Sequence, residues 1–397
     1  MCRAKVAQSV VYRRRESRGP WSRVAVGERK ETRTSAVSFP LGPYHPALSE
    51  PYALRLRLRG ERVVAATEPV YGYGRRGVLD MIVGQPLDDA LVLLERACAH
   101  TGQAYRLALS IAVERAGRLT TPPDAQLARV FFAELEMALS ALWTLSEIAR
   151  MLNLPALRTR GLGQRERIFA AVGEATGERV YWGVARPGGV REGIRFGSAR
   201  AILDWLPEIV ESWRVATAPQ GALRRAAERL EAERTKERPV APESAGAADA
   251  APTVGREDAR RVNPYGGYRL ITLDWSSLDD GHVTATDVAA WALRLATRLK
   301  LSADIMRVCA ESLDDEEPGR ATTPVTAGVG SVTVQTAHGP ARLDVTLASD
   351  LRIAQLRLAT PCAAALAEAP QWLLGRRLAH VPAILAGLDL CPSCAEL

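Results

Sequence analysis

The 397-residue chain is 47% hydrophobic and 24% charged, the balance of a globular protein. It has no apolar run of the roughly 18 to 20 residues a membrane span needs, and no signal-peptide order at its start, which together predict a cytosolic home. Ten Lys and Arg against three Glu within residues 1–35 account for all of the +7 net charge, so the basicity belongs to a tail rather than to a nucleic-acid-binding face.

Residues 1–38 lack hydrophobic periodicity and read as a disordered extension. From 39 to 220 the pattern is that of a β-hairpin and a helical core. Tyr52–Leu58 alternates apolar and basic residues, and the turn Arg59-Gly60-Glu61 leads into Val63–Thr67, a hairpin with one solvated face. Helices are predicted from Leu87 to about Ala116, from Asp124 to Leu152 behind Pro122 and Pro123, over Gln164–Thr176 and over Ser198–Ala218. Arg186–Val190 reads as a turn between the last two. Residues 221–256 combine a charged helical stretch with a linker rich in Ala and Pro. The part from 257 to 397 begins its regular structure with a helix over Asp287–Leu313, for which Thr286 is the expected N-cap. Strands follow at Ser331–Gln335, Ala341–Leu347 and Leu351–Leu358, then a last helix over Ala363–Leu388. The expected fold class is α+β, a central helical bundle with small β-rich units near both ends.

Six cysteines in a cytosolic chain read as metal-binding or free thiols rather than disulfides. Cys391-Pro-Ser-Cys394 has the spacing that presents two sulfurs to one soft metal, and Cys98 lies far upstream in Glu95-Arg-Ala-Cys98-Ala-His-Thr101. Cys2, Cys309 and Cys362 carry no spacing signal and read as tail or core residues. Gly72-Tyr-Gly-Arg-Arg-Gly77 matches G-x-G-x-x-G, but no strand follows at the length a dinucleotide unit requires, so no NAD site is expected. The cysteines also lack the spacing of an iron–sulfur cluster.

Seven segments in the right order resemble the large subunit of energy-converting, membrane-bound [NiFe] hydrogenases and the related 49 kDa (D) subunit of NADH:quinone oxidoreductase, complex I. They are Gly42-Pro-Tyr-His-Pro46, Gly72–Gly77, Glu95-Arg-Ala-Cys98, Ala112-Val-Glu114, Arg186-Pro-Gly-Gly-Val190, Asn263-Pro-Tyr-Gly-Gly-Tyr268 and Leu388-Asp-Leu-Cys-Pro-Ser-Cys394. The resemblance runs from Phe39 to the C-terminus and is weakest over 221–254. It implies Cys98 and Cys391 as terminal nickel ligands and Cys394 as a thiolate bridging nickel to iron. The second bridging position is Thr101, whose hydroxyl is a poor replacement for a soft thiolate. Leu79 occupies the place of the proton-shuttling glutamate, for which Asp80 substitutes only if the register shifts. His338 replaces the arginine that overhangs the open metal position and keeps hydrogen-bonding capacity without the permanent charge. His45 lies in a turn that borders the quinone pocket in the complex I branch, and its bland reading is a turn histidine with a satisfied ring nitrogen. On a continuous helix, His100 would point away from Cys98. Leu397 falls where family precursors are cut, so no maturation cleavage and no histidine ligand are expected there.

The resemblance implies a redox subunit that packs against a small iron–sulfur subunit and is held peripherally at the inner face of the membrane by membrane subunits. Two chemistries compete within it. One is hydrogen turnover at a Ni-Fe centre with an incomplete ligand set. The other is a decayed nickel site whose cavity serves quinone. A third reading is a non-catalytic scaffold that holds zinc with its three thiolates and His100 or His338.

Overall fold

The computed structural model describes residues 36–235, 287–313 and 318–397. The basic tail before residue 36, the Ala/Pro linker, Thr286 and the Asn263–Tyr268 segment lie outside the described residues.

An antiparallel sheet of β1 (Val37–Leu41), β2 (Leu54–Arg59) and β3 (Arg62–Ala66) opens the fold in that order. Leu54, Leu56 and Leu58 of β2 are buried while the intervening arginines are exposed, as the alternation predicts. Next come α1 (Val78–Ile82), α2 (Leu87–Glu95) and α3 (Gly102–Gly117). The single helix expected over Leu87–Ala116 is therefore broken, and the turn Arg96–Thr101 lies in the break.

The core is built on α4 (Pro123–Met151), which is buried along most of its length and packs on α5 (Pro155–Thr176) and α9 (Val288–Glu311). Buried acidic groups in such a helix need partners, and each has one. Glu134 pairs with Arg298 at 3.0 Å, Glu147 with Arg150 at 2.6 Å, and Glu136 accepts backbone hydrogen bonds from Gln103 and Ala104. Between α5 and α9 lie a short hairpin of β4 (Ala185–Arg186) and β5 (Gly189–Val190), then α6 (Phe196–Arg200), α7 (Leu206–Thr217) and α8 (Ala222–Thr235). Pro207 in the first turn of α7 cannot continue a preceding helix, so Ser198–Ala218 is two helices joined by a 3-10 turn rather than one. Asp287, placed by sequence in the first turn of α9, is its N-cap and accepts from the Ala290 amide at 2.7 Å.

A second antiparallel sheet, β6 (Gly328–Thr336), β7 (Gly339–Leu347) and β8 (Ile353–Ala359), packs on α3. Gly330 permits this approach, because a Cβ there would lie 1.8 Å from the Ala112 carbonyl oxygen. The helix expected over Ala363–Leu388 is instead two, α10 (Cys362–Leu373) and α11 (Val381–Gly387), and a short α12 (Pro392–Ala395) follows beyond it. The chain between α10 and α11 pairs with the N-terminal hairpin through Val63 N to Arg376 O at 2.9 Å and Gly375 N to Val63 O at 2.8 Å. Extended pairing and helix are incompatible for the same amides, so the helix stops.

Two buried ion pairs dock the β4–β5 hairpin onto α3 and α4. Glu114 accepts from Arg129 at 2.7 Å and from the Gly188 amide at 2.8 Å, and Arg129 Nε donates to Gly189 O at 2.8 Å. Glu95 accepts from Arg106 at 3.1 Å and from the Gly183 amide at 2.8 Å, while Arg106 Nε donates to Ala185 O at 2.6 Å. Three of the motif segments thus meet in space for structural reasons.

Candidate metal centre

Two turns and one hairpin loop converge on a buried point. The first turn, Arg96–Thr101, leaves the helical path because α3 restarts close beside α2. A Cβ on Gly102 would lie 2.2 Å from the Glu95 carbonyl oxygen, so glycine is required there. Arg76 donates to the carbonyls of Arg96 and Ala97, which ties the Gly72–Gly77 motif to the turn. The second turn, Cys391–Cys394, enters α12 and is held by Glu50 Oε2, which accepts from the Ser393 amide at 2.8 Å. Thr360 adds a hydrogen bond of 2.9 Å to the Cys394 carbonyl. The loop is Ala337-His338, between the paired residues Thr336 and Gly339. Thr336 Oγ1 donates to Gly339 O at 2.7 Å and accepts from His338 N at 3.2 Å.

Together these elements bring Cys98, His338, Cys391 and Cys394 into one buried cluster whose ligand atoms all lie within 4.8 Å of one another. The Cys98 and Cys391 sulfurs are 3.7 Å apart. A tetrahedron with metal–sulfur bonds of about 2.3 Å has edges of about 3.8 Å, so the spacing suits two thiolates on one ion. Thr101 is also buried, with its Oγ1 3.4 Å from Cys394 Sγ, and Tyr105 donates to the same sulfur at 2.9 Å. The hydroxyl thus occupies the space of a fourth ligand without the donor strength of one.

His338 is buried, and neither ring nitrogen makes a hydrogen bond of ordinary geometry. Its Nδ1 stands 3.5 Å from Asp389 Oδ2, at the outer limit of hydrogen bonding, and Asp389 Oδ1 is fixed by the Thr144 hydroxyl at 2.6 Å. A carboxylate behind an imidazole that faces thiols is the arrangement that orients a metal-binding histidine. Burial opposes the imidazolium, but Asp389 and the nearby thiols hold its pKa well above the ordinary value. A metal bound at the ring nitrogen on the thiol side must displace the proton there.

Other groups around the cluster are shifted by burial. Desolvation pushes Glu136 up to about 8 against the two amides it accepts from. It raises Glu50 against the Ser393 hydrogen bond, and it raises Tyr105, with Cys394 adding to the effect. Hydrogen bonds from Cys362 and Cys394 come first among the causes that raise Cys391. Cys362, read from sequence as a core residue, therefore belongs beside the site. Its signal was not in any spacing: it lies at the head of α10 and reaches the other thiols only through the tertiary fold.

The remaining sequence candidates stand elsewhere. Asp80 is 81% exposed and pairs with Arg75 at 3.7 Å, while Leu79 packs at the edge of the core. Neither is brought together with the thiols. His45 caps its own turn, its Nδ1 accepting from the Ala47 amide at 3.1 Å. His100 lies off the helix expected for it, in the broken turn. Its amide donates to Cys98 Sγ at 3.4 Å, and its ring stacks toward Trp143 and His338 with centroids 5.9 and 6.1 Å away. Burial lowers its pKa, and it is outside the cluster of four. Two clefts flank the site. One, of about 30 Å³ and partly open to solvent, is lined by Ala47, Leu48, Tyr52, Trp143, Thr144 and Asp389 among others. The second, also about 30 Å³, includes Cys98, His100, Glu136 and Arg165.

No family model matches the chain. The D subunit of NADH-quinone oxidoreductase from Thermosipho melanesiensis is 29% identical over 173 residues, 44% of this chain and 47% of that protein. The alpha subunit of the membrane-bound hydrogenase from Pyrococcus furiosus is 30% identical over 170 residues, 43% of this chain and 40% of that protein. The chain thus spans less than half the length of these two relatives in the matched region. The carbon monoxide-induced hydrogenase of Rhodospirillum rubrum is 22% identical over 372 residues, 91% of this chain and 99% of that protein. Among solved structures, a chain of the archaeal membrane-bound sulfane sulfur reductase, a respiratory membrane complex, superposes with a TM-score of 0.69 at 23% identity, covering 91% of this chain and 98% of that one. The resemblance to hydrogenase large subunits and to the 49 kDa subunit of complex I is borne out, and the α+β fold class with it.

Proposed function

We propose that this chain is a redox subunit of a membrane-associated, hydrogenase-like or complex-I-like oxidoreductase, exchanging electrons with an iron–sulfur partner subunit and carrying a degenerate nickel site. The observation that supports this reading is the buried cluster of three thiols and one imidazole within 4.8 Å, in a chain whose relatives are oxidoreductase subunits. The donors fit one soft four-coordinate ion. They do not fit a nickel–iron pair bridged by two thiolates, because Thr101 stands at the second bridging position. No hydrogen-splitting step is assigned for that reason.

In this reading the fold's own residues do three things. Asp389 and Thr144 orient His338, Tyr105 keeps Cys394 hydrogen-bonded, and the clefts beside Asp389 and Cys98, each with room for only about two waters, mark the sides from which a small acceptor such as a quinone would have to approach by opening them. His45 shapes the turn next to the first cleft rather than lining it. Among the described residues no helix is long and apolar enough to cross a membrane, so attachment at its inner face falls to partner subunits.

The approach of His338 also favours a second reading, a zinc-binding scaffold with a Cys3His shell. Metal analysis and infrared spectroscopy of the chain purified with its partners separate the cases. The proposal predicts a single ion per chain, quinone reduction by the assembly and no bands from iron-bound cyanide or carbonyl. Nickel and iron in equal amounts with those bands would overturn the degenerate site, and zinc without any redox turnover would leave the scaffold.

A further inference from the structure

We propose that the cleft beside Cys98 binds a small carboxylate, formate in size, through the guanidinium of Arg165, with the Ser140 hydroxyl and the His100 ring as further donors. The site is separate from the metal reading and does not depend on it.

Arg165 of α5, Ser140 of α4 and His100 of the broken turn all line this cleft. The Arg165 guanidinium lies over the rings of Trp143 and Phe169, 4.9 and 5.2 Å from their centroids, and its Nε donates to the Leu139 carbonyl at 3.1 Å. Among the described residues its two terminal nitrogens have neither a hydrogen bond nor an ion pair. Ser140 is only 3% exposed, yet its hydroxyl has no partner among the described residues either. Ser146, six residues on in the same helix, returns its hydroxyl to the Leu142 carbonyl at 2.6 Å. The His100 ring makes no hydrogen bond among the described residues, and a neutral imidazole keeps one N–H to donate.

The cleft therefore offers donors whose acceptors are absent. Its two carboxylates are engaged elsewhere: Glu95 holds Arg106 and the Gly183 amide, and Glu136 holds the amides of Gln103 and Ala104. The buried arginines Arg106, Arg129 and Arg376 each have a carboxylate partner, at 3.1, 2.7 and 2.6 Å. Arg165 has none, and burial lowers its pKa to about 10 with no neighbouring acid to offset it. A cation taken from water without a counter-charge is costly, so an anion is the partner this group lacks. Stacking on rings uses the faces of the guanidinium and leaves its N–H edge, the fork that grips a planar carboxylate through two hydrogen bonds. The space of about 30 Å³ has room for about two waters, which suits the head of one such anion and excludes a long tail. At the rim, exposed Arg96 lies over the Tyr181 ring, 6.0 Å from its centroid, and adds to the positive field at the entrance.

The test is to titrate the full-length chain with isotope-labelled formate at constant ionic strength and follow the broadening of its NMR signal. Saturable broadening that an equal concentration of chloride does not displace is expected. Arg165→Gln should weaken formate binding by about tenfold or more, and Ser140→Ala by about three- to tenfold. Wild-type affinity in Arg165→Gln would overturn the proposal. So would displacement by equal chloride, which would reduce the site to a bare positive charge, or the absence of saturable binding to the wild-type chain. None of these results bears on metal content, so the reading of the thiol cluster stands or falls apart from them. Should Arg165→Gln not fold, Arg165→Lys and Ser140→Ala decide. The lysine keeps the charge and loses the fork, so weaker formate binding is expected in both, and unchanged affinity in both would overturn the proposal.

Discussion

The two turns that meet at the thiol cluster are built alike and differ in what they present. Each leads into a helix whose first amides are held by a carboxylate from a distant element. Glu136 accepts from Gln103 N at 2.7 Å and Ala104 N at 2.9 Å, and Glu50 accepts from Ser393 N at 2.8 Å. The C-terminal turn carries Cys391 and Cys394, whereas the N-terminal turn, with the same spacing, carries Cys98 and Thr101. Its braces are all in place: Arg76 on the carbonyls, Glu95 on Arg106, and Gly102 at the close approach. The backbone of such a turn depends on these braces and not on a metal, so a ligand can be exchanged for a hydroxyl without loss of fold. Metal chemistry and architecture are separable here.

That separation is most severely tested at Glu95. Glu95→Ala leaves Arg106 buried without its partner, which costs about 3 to 5 kcal/mol, and it frees the Gly183 amide as well. Chemical denaturation is expected to show this loss in the metal-free chain. A change below about 1 kcal/mol would mean that the turn does not depend on its braces. Asp389→Asn probes the ligand side instead. It removes the charge behind His338 and is expected to weaken metal binding by about 10- to 100-fold, read by competition with a chelator. Unchanged affinity would show that His338 and its carboxylate play no part in holding the ion.

The difference between the turns also marks how far sequence could reach. The hairpin, the long α4 and α9 helices and the three C-terminal strands were legible because hydrophobic periodicity is local. The breaks at Arg96–Thr101 and after Leu373 were not, since a steric restart at Gly102 and pairing with the β3 strand are tertiary facts. For the site, Cys98, Cys391, Cys394 and the weakness at Thr101 were legible from motif resemblance, and so was His338, as the residue standing in place of the overhanging arginine. Cys362 was not, because it reaches the thiols from another helix. Asp80 was a neighbour in sequence only, and its carboxylate is a surface group paired with Arg75.

Glu136 sharpens the comparison through pH. Burial raises its pKa to about 8 in the native state from an ordinary value of 4.5. The folded chain therefore keeps a proton that the unfolded chain releases, and this contribution to stability, full below 4.5, declines as pH rises through 8. The expected slope is about 1.4 kcal/mol per pH unit in that window. Glu136→Gln should flatten it in denaturation curves taken across the range. An unaltered slope would place the proton elsewhere. The smallest effect on stability is expected from Thr101→Cys, under about 1 kcal/mol, since the new sulfur takes the place of an oxygen already 3.4 Å from Cys394. Its consequence lies in the metal. With the braces of the N-terminal turn intact, the substituted thiol meets Cys394 in the geometry the turn already has and displaces His338 from the fourth place on the ion, so the number of thiols protected from alkylation by a bound ion should rise by one. If that number stays the same, Thr101 is not simply a lost ligand, and the two turns differ in more than one atom.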